Sequence, residues 1–193
     1  MKQDIILAGV GGQGILSIAT VIGFAALEQG LYLKQAEVHG MSQRGGDVQS
    51  NLRLSTEPIQ SDLIPRGAAD LIVSLEPMEA LRYLPYLAPE GWIITNTVPF
   101  VNIPDYPPME SVMAELNRLP HVIAIDVDAI AKEAGSPRGA NMVLLGATST
   151  LLDFQDPEVF RDGIRRIFGR KGEEVVAANI KAFDAGYASA QQK

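Results

Sequence analysis

Two glycine-dense stretches hold the residues whose types and spacing could do chemistry: GVGGQG, Gly9 to Gly14, and HGMSQRGG, His39 to Gly46. Gly9, Gly11 and Gly14 satisfy G-x-G-x-x-G. The first stretch follows an apolar run and opens a helical one, so its free N–H groups and the positive end of a helix could receive a diphosphate. A dinucleotide site also wants a carboxylate about 20 residues on to hold the ribose. Glu37 is the candidate, 23 residues beyond Gly14 and hard against the second stretch. There Arg44, with His39 and Ser42, could present donors to a carboxylate or phosphate, while Gly45 and Gly46 allow close backbone approach. The plainer alternative is an ion pair from Arg44 to Glu37 or Asp47 inside a structured turn, the commoner fate of an arginine.

Other chemistries are poorly supplied. The chain has no cysteine, which removes disulfides, thiolate-held iron–sulfur clusters and cysteine zinc sites. His39 and His121 are the only histidines, and neither has a metal-binding spacing. His121 reads as the end of a strand with no role. No Ser-His-Asp set or carboxylate pair is defensible from spacing. The net charge of −7 and the lack of any Lys/Arg run argue against nucleic acid and anionic membrane surfaces as partners.

The elements that must position these residues follow from the hydrophobic pattern. At 193 residues and 47% hydrophobic, the chain has the length for one well-buried core, and a single domain is expected. Ile5 to Leu27 contains no charged residue, but its glycines and Gln13 break the run, and MKQD brings no net positive charge. We therefore read strand, turn and helix in a soluble, cytoplasmic protein, with no membrane partner. Ile5–Ala8 suits a strand buried on both faces; Ile15, Ile18, Ala19, Ile22, Ala26 and Leu27 recur at helical spacing from Gln13 to Gln29, with Gly30 as the stop. Leu31 to Val38 gives a second strand. Val48, Leu52 and Leu54 alternate with polar residues, as in a hairpin-like return that makes the sheet mixed.

Further short apolar runs at Leu71–Leu75, Trp92–Thr95 and Val122–Ile125 predict strands separated by helices or loops. Helices are expected over Asn141–Leu152, Pro157–Phe168 and Glu173–Ala190, the last with an apolar stripe of Val176, Ile180, Phe183 and Tyr187. The four prolines between Val98 and Pro108 predict a long surface loop that could lie on a partner. The fold class expected is α/β, a three-layer, Rossmann-like domain around a mostly parallel but mixed sheet.

Taken together, GVGGQGI, EVHGMSQRGG, GANMVLLGA (Gly139 to Ala147) and the closing NIKAFDAGY resemble the gamma-type subunit or domain of the 2-oxoacid:ferredoxin oxidoreductases, and are most similar to the small subunit of the indolepyruvate type. The likeness runs over nearly the whole chain, so residues 1–193 would be one such domain. It implies a complex that oxidatively decarboxylates a 2-oxoacid, passes electrons to ferredoxin and makes an acyl-CoA, with coenzyme A as co-substrate. Thiamine diphosphate, its Mg and the iron–sulfur clusters would sit on a large partner subunit, and ferredoxin would be met through the complex; this chain alone would bind no cofactor and be inactive. A homodimer of the isolated chain is left open. Trp92 and Phe100 are candidate contributors to the substrate pocket, although aromatics of this kind are normally core.

The family's turn signature lands on Gly9, Gly11, Gly12, Gly14, His39, Gly40, Ser42, Gln43, Arg44, Gly45 and Gly46, which are expected to line a substrate or coenzyme pocket or a subunit interface. None is a catalytic acid or base on this reading. Two alternatives remain: a free-standing NAD(P)-dependent oxidoreductase that uses the glycine fingerprint, and a non-catalytic binding module.

Overall fold

The apolar run Ile5–Ala8 is the middle of a strand, β1 (Lys2–Val10), buried at every position after Lys2, as a strand with helices on both faces must be. The computed structural model describes residues 1–39, 45–154 and 156–191. Among these residues, five more strands join β1: β2 (Tyr32–His39), β3 (Asp47–Ser55), β4 (Ala69–Ser74), β5 (Leu87–Asn96) and β6 (Val122–Ile125). Their order across the sheet is β2-β3-β1-β4-β5-β6. β3 runs antiparallel to both β1 and β2, whereas β1, β4, β5 and β6 are parallel neighbours. The mixed sheet expected from the alternation at Val48–Leu54 is thus present.

Among the described residues, seven α-helices cover the two faces. α1 (Ile15–Glu28), α5 (Ala140–Ser149), α6 (Pro157–Phe168) and α7 (Glu173–Ala190) pack on the face that carries Ile5 and Leu7, with α4 (Val127–Glu133) beside them. α2 (Pro77–Arg82) and α3 (Met109–Leu116) cover the face of Ile6 and Ala8. This is the three-layer α/β arrangement, held by two apolar clusters separated by the sheet.

Local chemistry sets the helix limits and corrects several expected ones. α1 starts at Ile15 rather than Gln13, because Gly14 takes φ +83°. It ends where expected: Gly30 N–H donates to Leu27 O and Leu31 N–H to Ala26 O, a Schellman closure. α5 stops at Ser149, short of Leu152. The hydroxyls of Thr148, Ser149 and Thr150 turn back onto the carbonyls of Leu144, Gly146 and Ala147 and compete with helix continuation. The buried stripe of α7 is Ala182, Phe183, Gly186 and Ala190; Val176 and Ile180 are only partly buried. The shift has a steric cause. At Gly186 the helix comes so close to α5 that a Cβ would stand 1.9 Å from Val143 O.

Candidate functional site

The first glycine turn is filled by its own glutamine. Gln13 Oε1 accepts from Val10 N–H at 2.7 Å, and Gln13 Nε2 donates to Leu75 O at 3.1 Å, joining the end of β1 to the end of β4. A Cβ at Gly9 would meet that Oε1 at 3.0 Å, tighter than an ordinary contact, so a side chain there would press on the glutamine's bonded amide. Gly14 carries the turn into α1, and its carbonyl accepts from Asn141 Nδ2 on the first turn of α5 at 3.3 Å.

Gly45 and Gly46, the described end of the second turn, lie directly on the first. Gly11 N–H donates to Gly46 O at 2.8 Å, and Gly45 N–H to Gly11 O at 3.4 Å. Of the expected site residues, Gly9, Gly11, Gly12 and Gly14 are therefore assembled with Gly45 and Gly46. His39 closes β2 opposite Val48. Gly40, Ser42, Gln43 and Arg44 lie outside the described residues, and with them the choice between anion donor and ion pair for Arg44.

The strand order bears on the dinucleotide reading. In that reading the ribose carboxylate ends the strand next to β1. Here β3 lies between β1 and β2, so Glu37 stands two strand spacings away, about 9.6 Å at ~4.8 Å per strand. Gln13 and the Gly11–Gly46 bond also occupy Val10 and Gly11 N–H groups that a diphosphate would use.

A crevice of about 300 Å³ opens beside the turns, lined by Gln13, Leu75, Asn96, Val98, Pro99, Phe100, Asp128 and Ala140. It sits at the carboxyl ends of the parallel strands where the chain reverses direction across the sheet. β1 leads into α1 on one face, and its neighbour β4 into α2 on the other, the place where open α/β sheets receive ligands. Asn96, at the end of β5, organises the floor: its amide donates to Asp128 Oδ2 at 2.9 Å, and its oxygen accepts from the N–H groups of Val98 and Val127.

The outer wall is the proline-rich segment 97–108, which folds back on its own chain. Asn102 Nδ2 donates to Gly45 O at 2.7 Å, tying the wall to the second glycine turn. Phe100 N–H donates to Glu76 Oε1 at 3.4 Å, and the Tyr106 hydroxyl donates to the same oxygen. Glu76 is fully buried and caps α2, where its other oxygen accepts from Glu79 N–H at 2.8 Å. Burial, then the bond to Glu76, raises the Tyr106 phenol well above its ordinary pKa, so it stays a donor. Burial also raises the carboxyl of Glu79, against the pull of its partner Arg82 at 2.7 Å. Tyr83 is pushed up to about 12, mainly by burial and further by Asp47 and Glu79.

Of the two aromatic candidates, Phe100 lines the crevice and Trp92 does not. Trp92 stacks on His121 with ring centroids 4.9 Å apart. His121 precedes β6, at the end of the sheet away from the crevice, where its carbonyl accepts from Ile93 N–H. Glu76, Asn96, Tyr106 and Asp128 were not singled out from sequence. Only Glu76 carried a local signal, an acidic residue followed by proline at the start of a helix. Among the described residues no group of three or more His, Cys, Asp or Glu is placed to hold a metal ion, and no helix is long and apolar enough to cross a membrane.

Comparison with known proteins agrees with this architecture. Residues 4–189 match the family described as pyruvate ferredoxin/flavodoxin oxidoreductase. The chain belongs to that family. It is 37% identical over 202 aligned residues to indolepyruvate oxidoreductase subunit IorB of Pyrococcus horikoshii, covering 100% of this chain and 98% of the relative. The IorB subunit of Methanothermobacter thermautotrophicus is 34% identical, with 100% of both chains covered. Among solved structures, 2-oxoglutarate:ferredoxin oxidoreductase from Magnetococcus marinus, with 2-oxoglutarate, coenzyme A and succinyl-CoA bound, superposes with a TM-score of 0.77 at 26% identity; all of this chain aligns to 31% of that one. Pyruvate oxidoreductase subunit PORC from Thermotoga maritima shares the fold with a TM-score of 0.73 at 22% identity, over 97% of this chain and 96% of that one. The resemblance read from the glycine turns is borne out.

Proposed function

We propose that this chain is the cofactor-free, gamma-type subunit of a cytoplasmic, thiamine diphosphate-dependent 2-oxoacid:ferredoxin oxidoreductase whose substrate is indolepyruvate or a related aryl pyruvate. Residues 1–193 act as one domain. The reading is carried by the match to the IorB subunits along essentially their full length. On this reading, which follows from the resemblance to the family, thiamine diphosphate, Mg and the iron–sulfur clusters sit on a large partner; the absence of cysteine, and so of thiolates for a cluster, agrees with that division.

The role left to this chain is to bind and to shape. Its crevice mixes polar groups from Gln13, Asn96 and Asp128 with the apolar walls of Leu75, Val98, Pro99 and Phe100. That pattern suits a flexible arm of alternating amides and methylenes, and we assign the crevice to the pantetheine end of coenzyme A, closed by the partner across the glycine turns. The glycine turns contribute preset backbone, and no residue of this chain acts as general acid or base.

Co-expression with the thiamine-binding partner and an assay of dye reduction dependent on both indolepyruvate and coenzyme A tests partner, chemistry and substrate together. Absence of association, or turnover without coenzyme A, overturns the proposal. The free-standing oxidoreductase reading predicts saturable micromolar NADH binding by the isolated chain; on the strand order described above, none is expected.

A further inference from the structure

Glu76 is fully buried, lies outside the crevice lining, and spends one carboxylate oxygen on two donors from the same distant segment, Phe100 N–H and the Tyr106 hydroxyl. A buried carboxylate needs its donors, because desolvation without hydrogen bonds is costly. Here it draws them from 24 and 30 residues away rather than from its own turn alone. The segment so held carries Val98, Pro99 and Phe100, which form the apolar wall of the crevice. Prolines at 99, 104, 107 and 108 leave this segment few backbone donors with which to build structure of its own, so its position is set by its anchors.

From this geometry we infer that Glu76 and Tyr106 are positioning residues for the crevice ligand: their hydrogen bond fixes the 97–106 strap, and through it the place of the Phe100 wall. The inference rests on the proposed role of the crevice in binding coenzyme A. Asn102, bonded to Gly45, is the second anchor and couples the strap to the glycine turns. Losing a charge-assisted hydrogen bond of this kind weakens the held state roughly tenfold or more.

The test uses the assembled complex with Tyr106→Phe, which removes one oxygen and keeps the ring. The expected result is a rise of about tenfold in KM for coenzyme A, with kcat and the KM for the 2-oxoacid within about twofold of wild type, and about tenfold faster amide hydrogen exchange confined to residues 97–106. Asn102→Ala, which leaves the buried Glu76 undisturbed, should move the same two readouts in the same direction. Faster exchange with an unchanged KM for coenzyme A would make the hydrogen bond purely structural and overturn the inference, as would unchanged exchange. A wild-type complex that turns over without coenzyme A would instead remove the functional reading beneath it.

Discussion

Gly146→Ala should lower the melting temperature of the isolated subunit by several degrees, although alanine is the better helix former. Gly146 lies in the middle of α5, where it meets α7 so closely that a Cβ would stand 1.9 Å from Phe183 O and 2.8 Å from Tyr187 N. Carbon and carbonyl oxygen in close contact sit at ~3.3 Å or more, so the added methyl is more than an ångström too near. The obstacle is helix backbone, which no rotamer change relieves. Overpacking costs about 1–3 kcal/mol, and a rigid obstacle puts this site at the upper end; removing glycine from a helix returns up to ~1 kcal/mol. The net loss is about 2 kcal/mol, or about 4–8 °C for a chain of this size.

A matched control has the opposite sign. Gly169 has φ −54° and ψ −35°, with nothing within 4 Å of the place an added methyl would take, so Gly169→Ala should be neutral or stabilise by about 0.4–1 kcal/mol through the unfolded chain. Thermal unfolding followed by far-ultraviolet circular dichroism at one scan rate compares the two. A Gly146→Ala protein that melts with or above Gly169→Ala would refute the steric argument. The site shares in the outcome, since α5 brings Asn141 to Gly14 O and Ala140 to the crevice.

Three further outcomes are expected. In an alkaline titration read at 295 nm, Tyr83 should not ionise until about pH 12, and Tyr106 should also be late. Because an unfolded tyrosine loses its proton near pH 10, stability should fall as pH rises from about 10 towards 12; ionisation of Tyr83 and Tyr106 near pH 10 in the folded subunit would contradict the desolvation of their phenols. Gln13→Ala removes the acceptor of Val10 N–H and the donor to Leu75 O, and should destabilise the subunit by about 1–3 kcal/mol in a urea titration, with no loss if water replaces both bonds. Arg44→Ala should lower turnover of the complex while leaving the subunit's melting temperature unchanged, and full activity in the reconstituted variant would remove Arg44 from the site.

What could be read in advance depended on how local its cause was. β1, α1 and the β2–β3 return each carry their signal within a dozen residues, as buried run, helical period and alternation. α2 and α4, with six and seven residues, are too short for a 3.6-residue period to register. The two glycine turns could be recognised separately, but their contact at Gly11 and Gly46 depends on β3 entering the sheet beside β1, a tertiary choice. The proline-rich stretch announced a loop without indicating that it would return to Glu76, because Tyr106 and its acceptor are 30 residues apart and share no motif. GANMVLLGA and DAGY served as recognition marks, and the structure supplies a mechanical reason: Gly146 and Gly186 are where two helices touch backbone to backbone.

The amide of Gln13 gives the first turn another meaning. By bridging Val10 and Leu75 it does from within what a bound anion does for glycine loops elsewhere, so this loop holds its shape before any guest arrives. The first turn is in this respect self-templated, its form written into the chain's own amide and carbonyl groups.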